Sequence, residues 1–145
     1  MPSFTTRLSN LEISGPILEI LIGPTMALTR KLQSQGLAVP EPVKVTAIID
    51  TGASRTAIQQ SVIHSLGIQP TGIQNVRTPS TTSPVPFHLY DIDLFFIPSR
   101  VKLSQVTAIA VPLVGQYIQA LIGRDILKHG VLVYIGYQGE FTLSF

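Results

Sequence analysis

An apolar, β-branched run closes on a carboxylate at Ala47-Ile48-Ile49-Asp50-Thr51-Gly52-Ala53-Ser54. An aspartate at the end of an apolar strand is costly unless hydrogen-bond donors meet it, and the following Gly52 lets backbone N–H groups approach it closely. A carboxylate held in this way suits general acid–base work. The same residues also suit a plain strand-ending turn, because Asp, Thr and Gly are all turn formers. Context decides between the two. It comes from Ala120-Leu121-Ile122-Gly123-Arg124-Asp125-Ile126-Leu127, where a second apolar strand runs into a glycine and a short helix.

The elements that must position these residues are mostly short β segments punctuated by Gly and Pro. Residues 11–22 combine alternation with a Gly15-Pro16 turn signal, and residues 43–49 are β-branched up to Asp50. Further extended segments are expected at 87–97, 103–112, 130–135 and 141–145. Three short helices interrupt them: 25–35, with a Thr25 cap and Gly36 behind it, 61–66, ending at Gly67, and 124–128. The polar loop Pro79-Ser80-Thr81-Thr82-Ser83-Pro84 separates two extended segments and is expected at a hairpin tip.

Together, the Asp50-Thr51-Gly52-Ala53 turn and the later Gly123-Arg124-Asp125 helix start resemble the paired motifs of the retropepsin-like aspartic proteases, in the same order and at a similar separation. The likeness spans residues 11–145 and is nearer to cellular and bacterial members, including the protease domain of DNA-damage-inducible ubiquitin-shuttle proteins, than to viral ones. Segment 61–66 and the closing hairpin 131–145 point that way. The resemblance implies one mainly β domain over residues 1–145, a closed β-barrel with a few short helices. It implies an aspartic endopeptidase with Asp50 as its catalytic acid. Thr51 would hydrogen-bond across to the loop of a second subunit, Gly52 would admit substrate backbone, and Gly123, Arg124 and Asp125 would support the turn, with Arg124 bracing its base. Ala53 places a methyl where pepsin-type enzymes often carry a hydroxyl, which implies activity nearer neutral pH.

Two departures accompany the likeness. Ser54 stands where viral members usually carry an aspartate that binds substrate backbone and pairs with the motif's arginine. Asp125 or a carboxylate of the other subunit is then left as the partner of Arg124. The expected flap, residues 76–87, has no glycine and no aromatic tip; Pro79 and Pro84 stiffen its base while Ser80, Thr81, Thr82 and Ser83 keep the tip polar.

Peptide hydrolysis by carboxylates needs two of them close together sharing one proton, because like charges at that distance cannot both ionise. Asp50 supplies one. Asp91, Asp93 and Asp125 stand in no such turn, so a two-fold homodimer that brings two copies of Asp50 together is the simplest supply. Its substrate would be an extended polypeptide, and the terminal segment 139–145 is the expected interface. The alternative keeps the fold as a catalytically weak peptide-binding or dimerisation module.

Composition removes other classes. The 145 residues contain no Cys, so thiol nucleophiles, disulfide frameworks and Cys-based zinc sites are absent. His64, His88 and His129 have no ligand spacing, and no glycine-rich phosphate loop occurs, so neither a metal nor an organic cofactor is expected. Asp91 and Asp93 read as two acids on one solvated strand face. The net charge of +2 comes from scattered basic residues with few aromatics among them, which argues against nucleic acid. The longest uncharged stretches, 56–76 and 103–123, are broken by Gly, Pro, His or Gln and do not read as membrane spans. A cytoplasmic protein is expected. One oddity remains: a mean hydropathy of +0.38 is high for so small a chain and implies apolar surface beyond what its own core hides.

Overall fold

The computed structural model describes residues 1–78 and 80–145; Pro79, expected in the polar hairpin tip, lies outside the described residues. In chain order the elements are β1 (Ser3–Arg7), α1 (Leu11–Ser14), β2 (Ile17–Pro24), α2 (Met26–Ser34), β3 (Val43–Ile49), β4 (Ala57–Gln59), α3 (Gln60–Ser65), β5 (Gly72–Val76), β6 (Val85–Phe96), β7 (Val101–Val111), β8 (Ala120–Ile122), α4 (Arg124–Leu127), β9 (Val131–Ile135) and β10 (Glu140–Ser144). The chain is mainly β, with a few short helices.

The larger sheet has the order β2-β3-β8-β4-β7-β6-β5, and β2 also pairs with β6. That extra pairing closes the sheet into a barrel and leaves β5 hanging from β6 outside the ring. Alternation explains the closure. On β2 and β3, Leu18, Ile20, Ile22, Val45, Ala47 and Ile49 point inward and are buried, and Ile92, Leu94, Phe96 and Ile122 meet them from the other walls. Pairing is antiparallel except where β3 runs beside β8 and β4 beside β7. The parallel pair β3–β8 sets Ile49 opposite Ile122, so the two strands that precede the sequence motifs end side by side.

The smaller sheet has the order β1-β10-β9, all antiparallel. It packs through aromatics: Phe141 meets Phe4 edge-on at a centroid separation of 6.2 Å, and Phe96 and Phe145 approach to 5.1 Å. Strand β10, which lies in the segment 139–145 expected at an interface, is the middle strand of this sheet. Its two edges are taken by β1 and β9, and Phe141 and Leu143 are buried. The open edges belong to β1 and β9.

Helix α2 begins where its Thr25 cap predicts, with the hydroxyl accepting from Leu28 N–H at 3.2 Å. Residues 11–14, expected as extended chain, form α1 instead. Gly15 follows with φ +71, and a Cβ there would stand 2.7 Å from the Ile48 side chain. None of the described helices is long and apolar enough to cross a membrane.

Asp91 and Asp93 do not share a solvated face. The β6–β7 ladder slips between Ile92 and Leu94, Gln105 adopts φ +56, and Asp93 turns inward to 6% exposure. Its carboxylate accepts the Gln105 N–H at 3.0 Å and pairs with Lys102 at 2.8 Å. Asp91 accepts only the Thr107 hydroxyl. Replacing Asp93 by Ala leaves the irregular ladder without its acceptor and is expected to cost about 1–3 kcal/mol, against less than about 1 kcal/mol for Asp91→Ala; urea unfolding of the two variants measures the difference.

Candidate active site

Asp50 sits where β3 ends. Its backbone N–H donates to the carbonyl of Ile122 at 3.0 Å, which continues the β3–β8 pairing by one step and ties the acid to the second motif. Its side-chain Oδ1 accepts the Gly52 N–H at 2.8 Å, and its carbonyl accepts the Ala53 N–H at 3.2 Å. A Cβ on Gly52 would stand 3.0 Å from the same carboxylate oxygen, so the glycine is what lets the turn close this tightly.

The second motif locks the first from behind. Arg124 N–H donates to the Ala53 carbonyl at 2.9 Å, and the Arg124 guanidinium donates to the Thr51 carbonyl at 2.7 Å. Within the chain Arg124 thus finds a backbone oxygen rather than the Asp125 carboxylate. Asp125 is committed elsewhere. Its Oδ1 accepts from Thr56 N–H at 2.9 Å, from the Thr56 hydroxyl at 2.8 Å and from Ile126 N–H at 3.0 Å. The Thr56 hydroxyl, fully buried, also accepts the Gly123 N–H at 3.1 Å. A Cβ on Gly123 would lie 2.6 Å from the Arg55 carbonyl carbon, so the strand and the turn can cross here only at a glycine.

In front of the turn lies an open cleft of about 800 Å³. Asp50, Gly52, Ala53 and Ser54 line it, whereas Thr51, Gly123, Arg124 and Asp125 do not. The hairpin between β5 and β6 forms the opposite wall, contributing Ser80 and Thr81 from the tip; Thr82, Ser83 and Pro84 do not reach the cleft. The tip is held by its own hydroxyls, with Thr78 N–H donating to Thr81 Oγ1 at 3.1 Å and Thr81 N–H to the Thr78 carbonyl at 3.1 Å. The remaining walls are mostly apolar, from Phe87, Ile109, Val111 and Leu121 among others, with Arg55 and Arg77 as their charged members. No residue of α2 lines it.

Three residues with evident roles in this geometry escaped the motif reading: Thr56, Arg55 and Arg77. Thr56 carries a sequence signal, a hydroxyl residue directly before the apolar pair Ala57-Ile58. The arginines carry none, because their place in the cleft is set by how the walls meet. Chemically, the arrangement offers one carboxylate, half-buried, fixed by a backbone donor and facing an apolar channel wide enough for extended peptide.

A family model described as aspartyl protease matches residues 24–126. Among solved structures, the EIAV protease in complex with an inhibitor is 15% identical, covering 84% of this chain and 92% of that one, with a TM-score of 0.48. A retropepsin-like aspartic protease from Rickettsia conorii is 11% identical, covering 99% and 93%, with a TM-score of 0.49. No curated protein matches the chain in sequence.

The lock behind the turn predicts a stability effect separate from chemistry. Thr56→Val keeps the volume but strands the Gly123 N–H and removes one donor from Asp125, at an expected cost of about 1–3 kcal/mol in chemical denaturation. Gly123→Ala should cost more than Thr56→Val, since the atoms it strikes are backbone and cannot swing aside.

Proposed function

We propose, from the premise that the chain belongs to the aspartyl protease family, that two copies assemble one endopeptidase site in which the two Asp50 carboxylates face each other. The observation that carries this reading is Asp50 itself: it is pinned by Gly52 at the floor of a peptide-sized apolar cleft, and it is the chain's sole Asp followed by Thr-Gly.

In such a pair one proton is shared, so one carboxylate is ionised while its neighbour is protonated. The ionised one takes a proton from water as the water oxygen bonds to the peptide carbonyl carbon. The protonated one gives its proton to the carbonyl oxygen. Collapse of the tetrahedral intermediate breaks the C–N bond as the departing nitrogen takes the proton gained by the first carboxylate and one hydroxyl of the intermediate returns a proton to the second. Residues 1–145 act as one protease unit, and the β5–β6 hairpin serves as the cover that excludes water.

The seam between the copies falls on β9. This strand is an open edge of five uncharged residues, Val131-Leu132-Val133-Tyr134-Ile135, with Val131, Val133 and Tyr134 exposed, and the chain enters it directly from α4 behind the Asp50 turn. Edges of this kind are normally shielded by charge or proline. A β9 that pairs with β9 of a second copy would cover itself and account for the high hydropathy.

Asp50→Asn is expected to lower peptide cleavage by about 10²–10⁴-fold with the fold intact by circular dichroism; equal product from wild type and variant would sink the protease reading and leave a peptide-binding module. Val133→Lys is expected to yield monomer in sedimentation velocity and to lose cleavage with it. Cleavage measured at concentrations where only monomer sediments would overturn the shared-carboxylate mechanism.

A further inference from the structure

Two arginines line the cleft from opposite sides: Arg55, which leaves the active-site turn along the floor, and Arg77, at the start of the loop joining β5 to β6. Neither is ion-paired. Among the described residues the pairs are Arg7–Glu140, Lys44–Glu19 and Lys102–Asp93. One N–H of the Arg55 guanidinium donates to the Thr107 carbonyl at 3.4 Å, which lays the side chain along β7 and leaves most of its five donors unused. Asp91, on the strand beside that anchor, accepts the Thr107 hydroxyl at 2.7 Å and forms no ion pair with Arg55.

A half-buried guanidinium held beside apolar walls is a poor structural choice unless an anion meets it, because its charge is partly desolvated and its planar donors match a carboxylate. Among the described residues Asp50 is the sole acid lining the cleft, and in the proposed mechanism its role is the chemistry. An occupant that carries an acid would supply the anion that the lining of this chain does not.

We propose that Arg55, assisted by Arg77, selects substrate segments that carry a carboxylate close to the scissile bond: an Asp or Glu beside the apolar residues that fill the channel. This rests on the reading of the cleft as a peptide site. Arg55 is the stronger determinant, being anchored and half-buried, whereas Arg77 is exposed and screened by salt. A glutamine in place of the acid forfeits the charge-assisted bonds, and a lysine is repelled.

The test uses C-terminally amidated decapeptides with an apolar central pair, each carrying Glu, Gln or Lys at one flanking position in turn. Two quantities are read: kcat/KM with the wild-type protein, and binding to Asp50→Asn. At one or two positions Glu should exceed Gln by roughly five- to tenfold in both, with Lys lowest. The ranking should flatten in Arg55→Gln, survive in Arg55→Lys, invert in Arg55→Glu and shrink as salt rises. A parallel series with free C-termini separates the two sources of a carboxylate, and an advantage confined to that series would overturn the assignment to an internal side chain. Equal treatment of Glu, Gln and Lys in cleavage and binding would overturn charge selection altogether. Ranked binding without any cleavage would support selection and sink proteolysis, and cleavage indifferent to charge would do the reverse.

Discussion

The geometry of the cleft depends on one crossing: the backbone of Arg55 and Thr56 passes over Gly123 with no room for a Cβ between them. Around that contact Thr56 and Asp125 satisfy each other and the two neighbouring N–H groups, of Gly123 and Ile126. A buried hydroxyl with a donor and an acceptor in fixed directions allows one arrangement, whereas apolar packing alone would allow several. The parallel pairing of β3 with β8 ends at this crossing, so the position of Asp50 follows from it through the Ile122 carbonyl and the Arg124 contacts to Thr51 and Ala53. The acid is placed by backbone atoms, and backbone atoms tolerate substitution of their own side chains.

Support is distributed unevenly around the cleft. Every strand of the barrel ring has neighbours on both sides, but β5 is paired only with β6. The floor that carries Asp50 therefore belongs to the rigid part of the molecule, and the opposite wall hangs from one ladder. Elements with few partners open at lower free energy than ring strands. The cover role proposed for the β5–β6 hairpin would fall on such a strand, and the proposed acid on the other kind.

What was legible in the sequence was what depends on neighbours along the chain. The run of residues 43–49 announced β3 because β-branched residues alternate up to a polar stop, and Thr25 announced α2 because its hydroxyl caps the first turn. The two motifs could be paired because their order and chemistry resemble a known family. What was not legible depends on contacts between distant segments. Nothing in Asp93 distinguishes it from Asp91 until the β6–β7 ladder slips and turns it toward Lys102. The mid-sheet place of β10 was not legible because β1, a short strand with four polar residues of five, gives no sign that it will cover one side of it. The place of Arg55 was not legible because its carbonyl carbon is set against Gly123 and its guanidinium against Thr107, both remote in sequence.

The high hydropathy is also not spread evenly. The barrel hides its inner face, and the small sheet hides Phe4, Phe141 and Leu143, yet Val131, Val133, Tyr134 and Tyr137 stay exposed along β9 and the turn after it. An uncharged edge without proline is a template for any extended chain, and two ways of covering it differ in consequence. A head-to-tail contact leaves a fresh edge at each step and propagates. A two-fold contact joins β9 to its own copy, consumes both edges at once and stops. The proposed mechanism has the same requirement, since two acids brought together by a two-fold axis would make a site and a third copy would add nothing. The uncharged edge and the proposed shared acid thus call for the same symmetry, and a single axis would serve both.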